Sequence, residues 1–182
     1  MIAFRLASAV SLALLWVSAG MALARPSAPP AHVAKHLGVH ESIDHSGRKQ
    51  KGRASYYAPH FANRQMADGG RFNPNSNMAA SRTLPLGTTA KVTNLNNGRS
   101  ALVQVQDRGP RAHDRIMDVT PKVAEQLGMK KAGAVPVVIA PIVVAEPNGA
   151  VQLGTGAAEV SPREVVAATK AAQAAIRRPE TP

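Results

Sequence analysis

The sequence has no cysteine, which excludes disulfides, a thiol nucleophile, thiolate-bound metal and attachment of lipid through a cysteine. Stability has to come from packing alone. Aromatic residues are 3% of the 182. They do not interleave with clustered basic residues, so nucleic acid is not expected as a partner. Acids are also scarce, 11 Asp and Glu against 22 Lys and Arg, for a formal net charge of +11. A surface of that sign draws polyanions.

One long apolar run stands at the N-terminus, in "MIAFRLASAVSLALLWVSAGMALARP". A single cation, Arg5, precedes it, and Ala22-Leu23-Ala24 follows, the n-region, h-region and cleavage site of a secretory signal. Residues 1–24 are therefore expected to be removed after Ala24, giving a periplasmic or secreted protein with no transmembrane segment and no lipid anchor. An uncleaved anchor is the alternative, although the run is near the short end of the roughly 17–25 residues a span needs. In an exported setting the polyanions are carboxylates of cell-wall stem peptides and anionic lipid heads. Residues 25–51, rich in Pro, His and polar residues, read as a flexible linker. His32, His36, His40 and His45 approach a four-residue spacing. Without carboxylate or thiolate support they read as solvated side chains, so no metal or other cofactor is expected.

The ordered core is expected over 52–142. "TTAKVTNLNNGRSALVQVQ" carries two strand-like runs joined through Asn97-Gly98, a dipeptide suited to a tight hairpin turn. In the second run Ala101, Val103 and Val105 share a face, and Asp107 has the same parity; an unbulged strand would turn its carboxylate to the apolar side. "TPKVAEQLGM" predicts a helix with Thr120 as N-cap, Pro121 in the first position, Gly128 as stop and a buried face of Val123, Ala124 and Leu127. "AVPVVIAPIVV" reads as a last strand, broken by Pro136 and Pro141. Short strands, one short helix and long loops predict a small all-β barrel. A Gly-rich link over 143–160 then leads to a terminal helix over 161–178, capped by Ser161 and begun by Pro162.

Taken in order, "ASYYAPHF", "RTLPLGTTAKVTNLNNGRS", "VQVQDRGP" and "RIMDVTPKVAEQLGM" resemble the core of the rare lipoprotein A (RlpA) family of septal ring lytic transglycosylases, from about Gly52 to Pro141. The resemblance implies a six-stranded double-psi β-barrel acting on peptidoglycan glycan strands, with cell-division or cell-wall proteins as further partners. It also exposes departures. The family's acidic position in Gly-Glu-x-Phe is Gly70, and its histidine in Ala-Ala-His is Ser81. Family-typical Trp, Gly and Thr are replaced at Tyr56, Ala58 and Met66, and no peptidoglycan-binding SPOR segment is visible. Of the implied site triplet, Asp107 remains.

A lytic transglycosylase cuts between N-acetylmuramic acid and N-acetylglucosamine and lets the sugar's C6 hydroxyl close onto C1, giving a 1,6-anhydro end. No water nucleophile is needed, so one carboxyl can act first as general acid and then as base. Asp107 suits that role if apolar neighbours keep it protonated. Arg108 opposes it only if its cation turns the same way, and strand alternation sends it elsewhere. The plainer alternative makes Asp107 a hydrogen-bond acceptor for the "RGP" turn. Asp68, two residues before Gly70, would face the same side of an extended loop; Ser81 could bind a sugar hydroxyl; Tyr57 and Phe61 could stack on sugar rings. Asn63, Asn94 and Arg82 are candidate contacts for N-acetyl and carboxylate groups, and His60, His113 and Asp114 are weaker candidates. Three functions stay open: an active or weakened transglycosylase, a peptidoglycan-binding module without turnover, and a structural envelope protein that holds a partner.

Overall fold

The computed structural model describes residues 42–177; the expected signal and most of the first linker lie outside them. Strands β1 (Gln50–Tyr56), β2 (Met78–Ser81), β3 (Thr89–Asn94), β4 (Ser100–Asp107), β5 (Met117–Val119), β6 (Val135–Ala145) and β7 (Val151–Leu153) form one sheet, with helices α1 (Pro121–Gln126) and α2 (Pro162–Ile176). The order is β1-β5-β2-β4-β3-β6-β7, and β1 also pairs with β6, closing β1 to β6 into a six-stranded barrel. The β1–β5 and β2–β4 pairs are parallel and the others antiparallel, the mixed pattern of the double-psi barrel.

Alternation fills the interior. Ala101, Val103 and Val105 of β4 are buried, and they meet Val92 of β3, Met117 and Val119 of β5, and Val137 and Ile139 of β6 in one core. Each buried Val or Ile contributes about 1.5–3 kcal/mol, which lets the barrel hold without cross-links. Helix α1 begins where Thr120 accepts from the Val123 amide and Pro121 takes the first position, and Val123, Ala124 and Leu127 are fully buried against the barrel.

Two local expectations change. The β3–β4 hairpin forms, but Thr93 pairs with Ser100 and residues 95–98 make a wider loop than a two-residue turn. Asn94 widens it by turning its side-chain amide to the Leu127 carbonyl (2.9 Å), while its Oδ1 accepts from the Asn96 amide (3.0 Å). Strand β6 is not broken by its prolines. Pro141 pairs with Ala90 where the β3–β6 register slips by a residue, so its missing N–H falls at a bulge. Beyond that point β6 continues to Ala145 and pairs with β7.

The expected link over 143–160 is therefore structured, and so is the end of the first linker. The Asp44 amide donates to the Thr83 carbonyl (2.7 Å), and His45 Nδ1 donates to the Ala145 carbonyl (3.0 Å). Helix α2, capped by a reciprocal Ser161–Glu164 box, lays Ala168 and Ala172 on Ile142 and Val143 of β6. Small residues allow the close approach. A Cβ on Gly87 would stand 3.0 Å from the Ala175 Cβ.

Candidate active-site groove

The position of Asp107 is set by a bulge. Along the parallel β2–β4 pair, Ala79 faces Val105, but the next residue, Ala80, faces Asp107, so Gln106 is extra. One extra residue reverses the side to which everything after it points. Ala79 packs in the barrel's inner cluster, whereas Ala80, although buried, lies outside that cluster. Asp107 therefore leaves the apolar side that simple parity assigns to it and joins the outer face with Ala80. Ala80 pairs in turn with Asp118 of β5, and Asp118 with Ser55 of β1. Asp107, Ala80, Asp118 and Ser55 thus make one rung across four strands. Gly109, at φ 140°, then turns the chain away in a conformation that favours glycine.

Above this rung the loop after β1 folds over to enclose a groove of about 750 Å³ lined by Tyr57, Phe61, Met66, Phe72, Asp107 and Asp118, with Arg64, Arg108, Arg111 and Arg115 around it. The aromatics of the described residues, Tyr56, Tyr57, Phe61 and Phe72, all line it. The Tyr57 ring lies 4.6 Å from Phe72 and meets Phe61 edge-on at 5.4 Å, and Phe72 packs with Met66 and Met78.

The Asp107 carboxylate is the most engaged group in the groove. Oδ2 accepts from the Tyr57 hydroxyl (2.7 Å); Oδ1 accepts from the amides of Ala67 (3.0 Å) and Arg108 (2.9 Å). Instead of an apolar wall it meets three donors, two of them backbone amides. Burial, then the hydrogen bond to Asp107, then the charges of Asp107 and Asp118 push the Tyr57 phenol well above its usual range, so Tyr57 stays a donor.

Asp118 is a groove residue that sequence reasoning passed over. Its Oδ1 accepts from the Ser55 hydroxyl, Arg115 donates to that same hydroxyl, and the Arg115 guanidinium lies 3.8 Å from Asp118 Oδ1. The signal was present in "RIMDV": Met117 and Val119 are buried in the core, so strand alternation sends Asp118 to the other face.

The remaining candidates divide by position. Tyr57, Phe61 and Arg108 line the groove with Asp107. The Arg108 guanidinium reaches past it to the carbonyls of Leu84 (2.6 Å) and Ser81 (3.3 Å). Arg82 donates to the carbonyls of Pro110 and Ala112, both at 3.0 Å, and so braces the loop after Asp107. Ser81 is fully buried, its hydroxyl accepting from the amides of Thr83 (3.3 Å) and Leu84 (3.1 Å). Asn94 is buried at the α1 side of the barrel. Asp68 is buried behind the groove wall; its Oδ1 accepts from the Gly70 amide (2.9 Å) and stands 2.9 Å from where a Cβ on Gly70 would lie. Asn63 is exposed at φ 67°, and its carbonyl accepts from Arg71 (3.0 Å). His60 and His113 are exposed, and Asp114 pairs with Arg53 and Arg115, each at 3.6 Å. Among the described residues no group of acids and histidines is arranged to hold a metal ion, and no helix is long and apolar enough to cross a membrane.

Comparison with known proteins places this geometry. A protein-family model described as "Lytic transglycolase" matches residues 49–139. A probable endolytic peptidoglycan transglycosylase RlpA of Synechocystis is 46% identical over 47% of this chain and 27% of its own length. The endolytic peptidoglycan transglycosylase RlpA of Campylobacter jejuni is 43% identical over 50% of this chain and 33% of its own. The chain thus spans a third or less of the length of these two relatives. Among solved structures, an expansin from Clavibacter michiganensis aligns with a TM-score of 0.41 and 20% identity over 52% of this chain and 50% of that one. With the matched segment covering strands β1 to β5 and the first five residues of β6, the chain belongs to this lytic transglycolase family of double-psi β-barrels.

Proposed function

We propose that this protein is an exported endolytic lytic transglycosylase of the RlpA type, cleaving peptidoglycan strands between N-acetylmuramic acid and N-acetylglucosamine to leave 1,6-anhydro ends. The observation that carries it is the Asp107 carboxylate, held by Tyr57 and two backbone amides inside a groove of about 750 Å³. Donors on both oxygens fix the orientation of the carboxyl, and a proton-transfer group contributes only when it is positioned at the reacting bond. Asp107 donates a proton to the glycosidic oxygen as the bond to C1 breaks. The C6 hydroxyl of the same sugar closes onto C1 and gives up its proton. Tyr57 and Phe61 line the groove as an apolar wall for the sugars, and the arginines around the groove suit the carboxylates that peptidoglycan carries. Its site of action is the periplasm or the cell exterior.

A second reading is favoured by Gly70 and Ser81, which stand where the family has an acid and a histidine: a groove that binds peptidoglycan without turning it over. Incubating the purified protein with glycan strands and sacculi separates the two. Transglycosylation releases fragments with 1,6-anhydro ends, seen by mass spectrometry; pelleting with sacculi and no such ends would leave the binding module.

A further inference from the structure

We propose that Asp118 is the second proton-transfer group of the groove, taking the proton of the C6 hydroxyl while Asp107 protonates the leaving oxygen. This rests on the transglycosylase reading and divides between two carboxylates a cycle that Asp107 would otherwise carry alone.

Three observations support it. Asp118 lines the same groove as Asp107. It lies on the same rung, two strands away through Ala80. Two strand spacings put the backbones about 9.6 Å apart.

Their surroundings also differ. Both oxygens of Asp107 are engaged by donors. Ser55 and Arg115 hold Asp118 by Oδ1, and Oδ2 has no partner among the described residues. A carboxylate fixed through one oxygen and lining the groove is placed to accept a proton from a hydroxyl. The step balances: the C6 oxygen bonds to C1, the bond from C1 to the leaving oxygen breaks, one proton passes from Asp107 to that oxygen, and another passes from the C6 hydroxyl to Asp118. The two carboxyls then exchange states through solvent. The charged and titratable groups that line the groove with Asp118 are Arg115 from the preceding loop, Tyr56, Tyr57 and Arg64 from β1 and the loop after it, and Asp107, Arg108 and Arg111 from the end of β4 and the loop that follows.

The test compares wild type, Asp118→Asn and Ser55→Ala for release of 1,6-anhydro ends across pH, with sacculus pelleting and melting temperature alongside. Asp118→Asn is expected to lower turnover by about 100-fold or more, the scale of one proton-transfer group, to lose the acid-side limb of the kcat/KM profile, and to pellet as wild type does. Ser55→Ala, which removes the same hydrogen bond but keeps the carboxylate, should lose less than tenfold and keep that limb. The proposal is overturned if Asp118→Asn turns over within threefold of wild type, if the two variants fall equally with the acid limb intact, or if Asp118→Asn melts or loses binding in proportion to its activity. Wild type that releases no anhydro ends overturns the parent reading as well, whereas an active wild type with an equally active Asp118→Asn overturns this inference alone.

Discussion

Tyr57 couples the groove to the stability of the fold. Its phenol is held above its ordinary value of 10.0 by burial and by the Asp107 carboxylate. A raised folded value leaves stability whole below pH 10 and removes it as pH climbs further, because the unfolded chain sheds the tyrosine proton first. An alkaline titration should therefore show Tyr57 phenolate absorbance only as the protein unfolds. Tyr57→Phe should remove that part of the alkaline loss and, by deleting a hydrogen bond to a charged group worth about 1.5–3 kcal/mol, reduce anhydro-end release by roughly 10-fold or more. Restoring the family residues by Gly70→Glu with Ser81→His is expected to fail on packing. A Cβ at 70 meets Asp68 Oδ1 at 2.9 Å, and position 81 has no exposed surface. Overpacking costs about 1–3 kcal/mol, so denaturant unfolding should show a less stable double variant, without a gain in turnover. Asp107 was legible in the sequence as the carboxylate that ends β4; its direction was not, because a bulge at Gln106 breaks the period of two and is set by the neighbouring strand. Asp118 needed the same non-local information, since only pairing through Ala80 brings it beside Asp107.

Elements whose signals lie within their own residues were the most readable. Helix α1 starts at Thr120 and Pro121, and α2 starts at Ser161 and Pro162, because caps act within one turn. The β3–β4 hairpin was found, but not its loop length, since Asn94 answers to a carbonyl on α1's C-terminal turn, 33 residues away. The continuity of β6 past Pro141 and the ordering of residues 44–49 likewise depend on distant partners: Ala90 in one case, Thr83 and Ala145 in the other. Helix α2, which lies beyond the family-matched segment, covers Ile142 and Val143 and receives a hydrogen bond from Gln104 on the Ala171 carbonyl (3.0 Å). Ser161→Ala removes its capping box and should cost about 1 kcal/mol, read as faster hydrogen exchange over the first turns of α2 with the barrel amides unchanged.

At the scale of the whole molecule, a closed barrel presents the groove beside its outer rung inside a strongly positive field. With a net charge of +11, attraction to an anionic wall is long-ranged and falls as the screening length shrinks from about 10 Å at 0.1 M salt to about 3 Å at 1 M. Pelleting with sacculi should therefore weaken steeply over that range, whereas substitutions confined to the rung should leave it in place. The most direct measurement is the rate at which Asp107→Asn releases 1,6-anhydro ends, taken under conditions where it pellets with sacculi as fully as wild type. The account predicts a loss of about 100-fold or more with binding retained; release at the wild-type rate would contradict it.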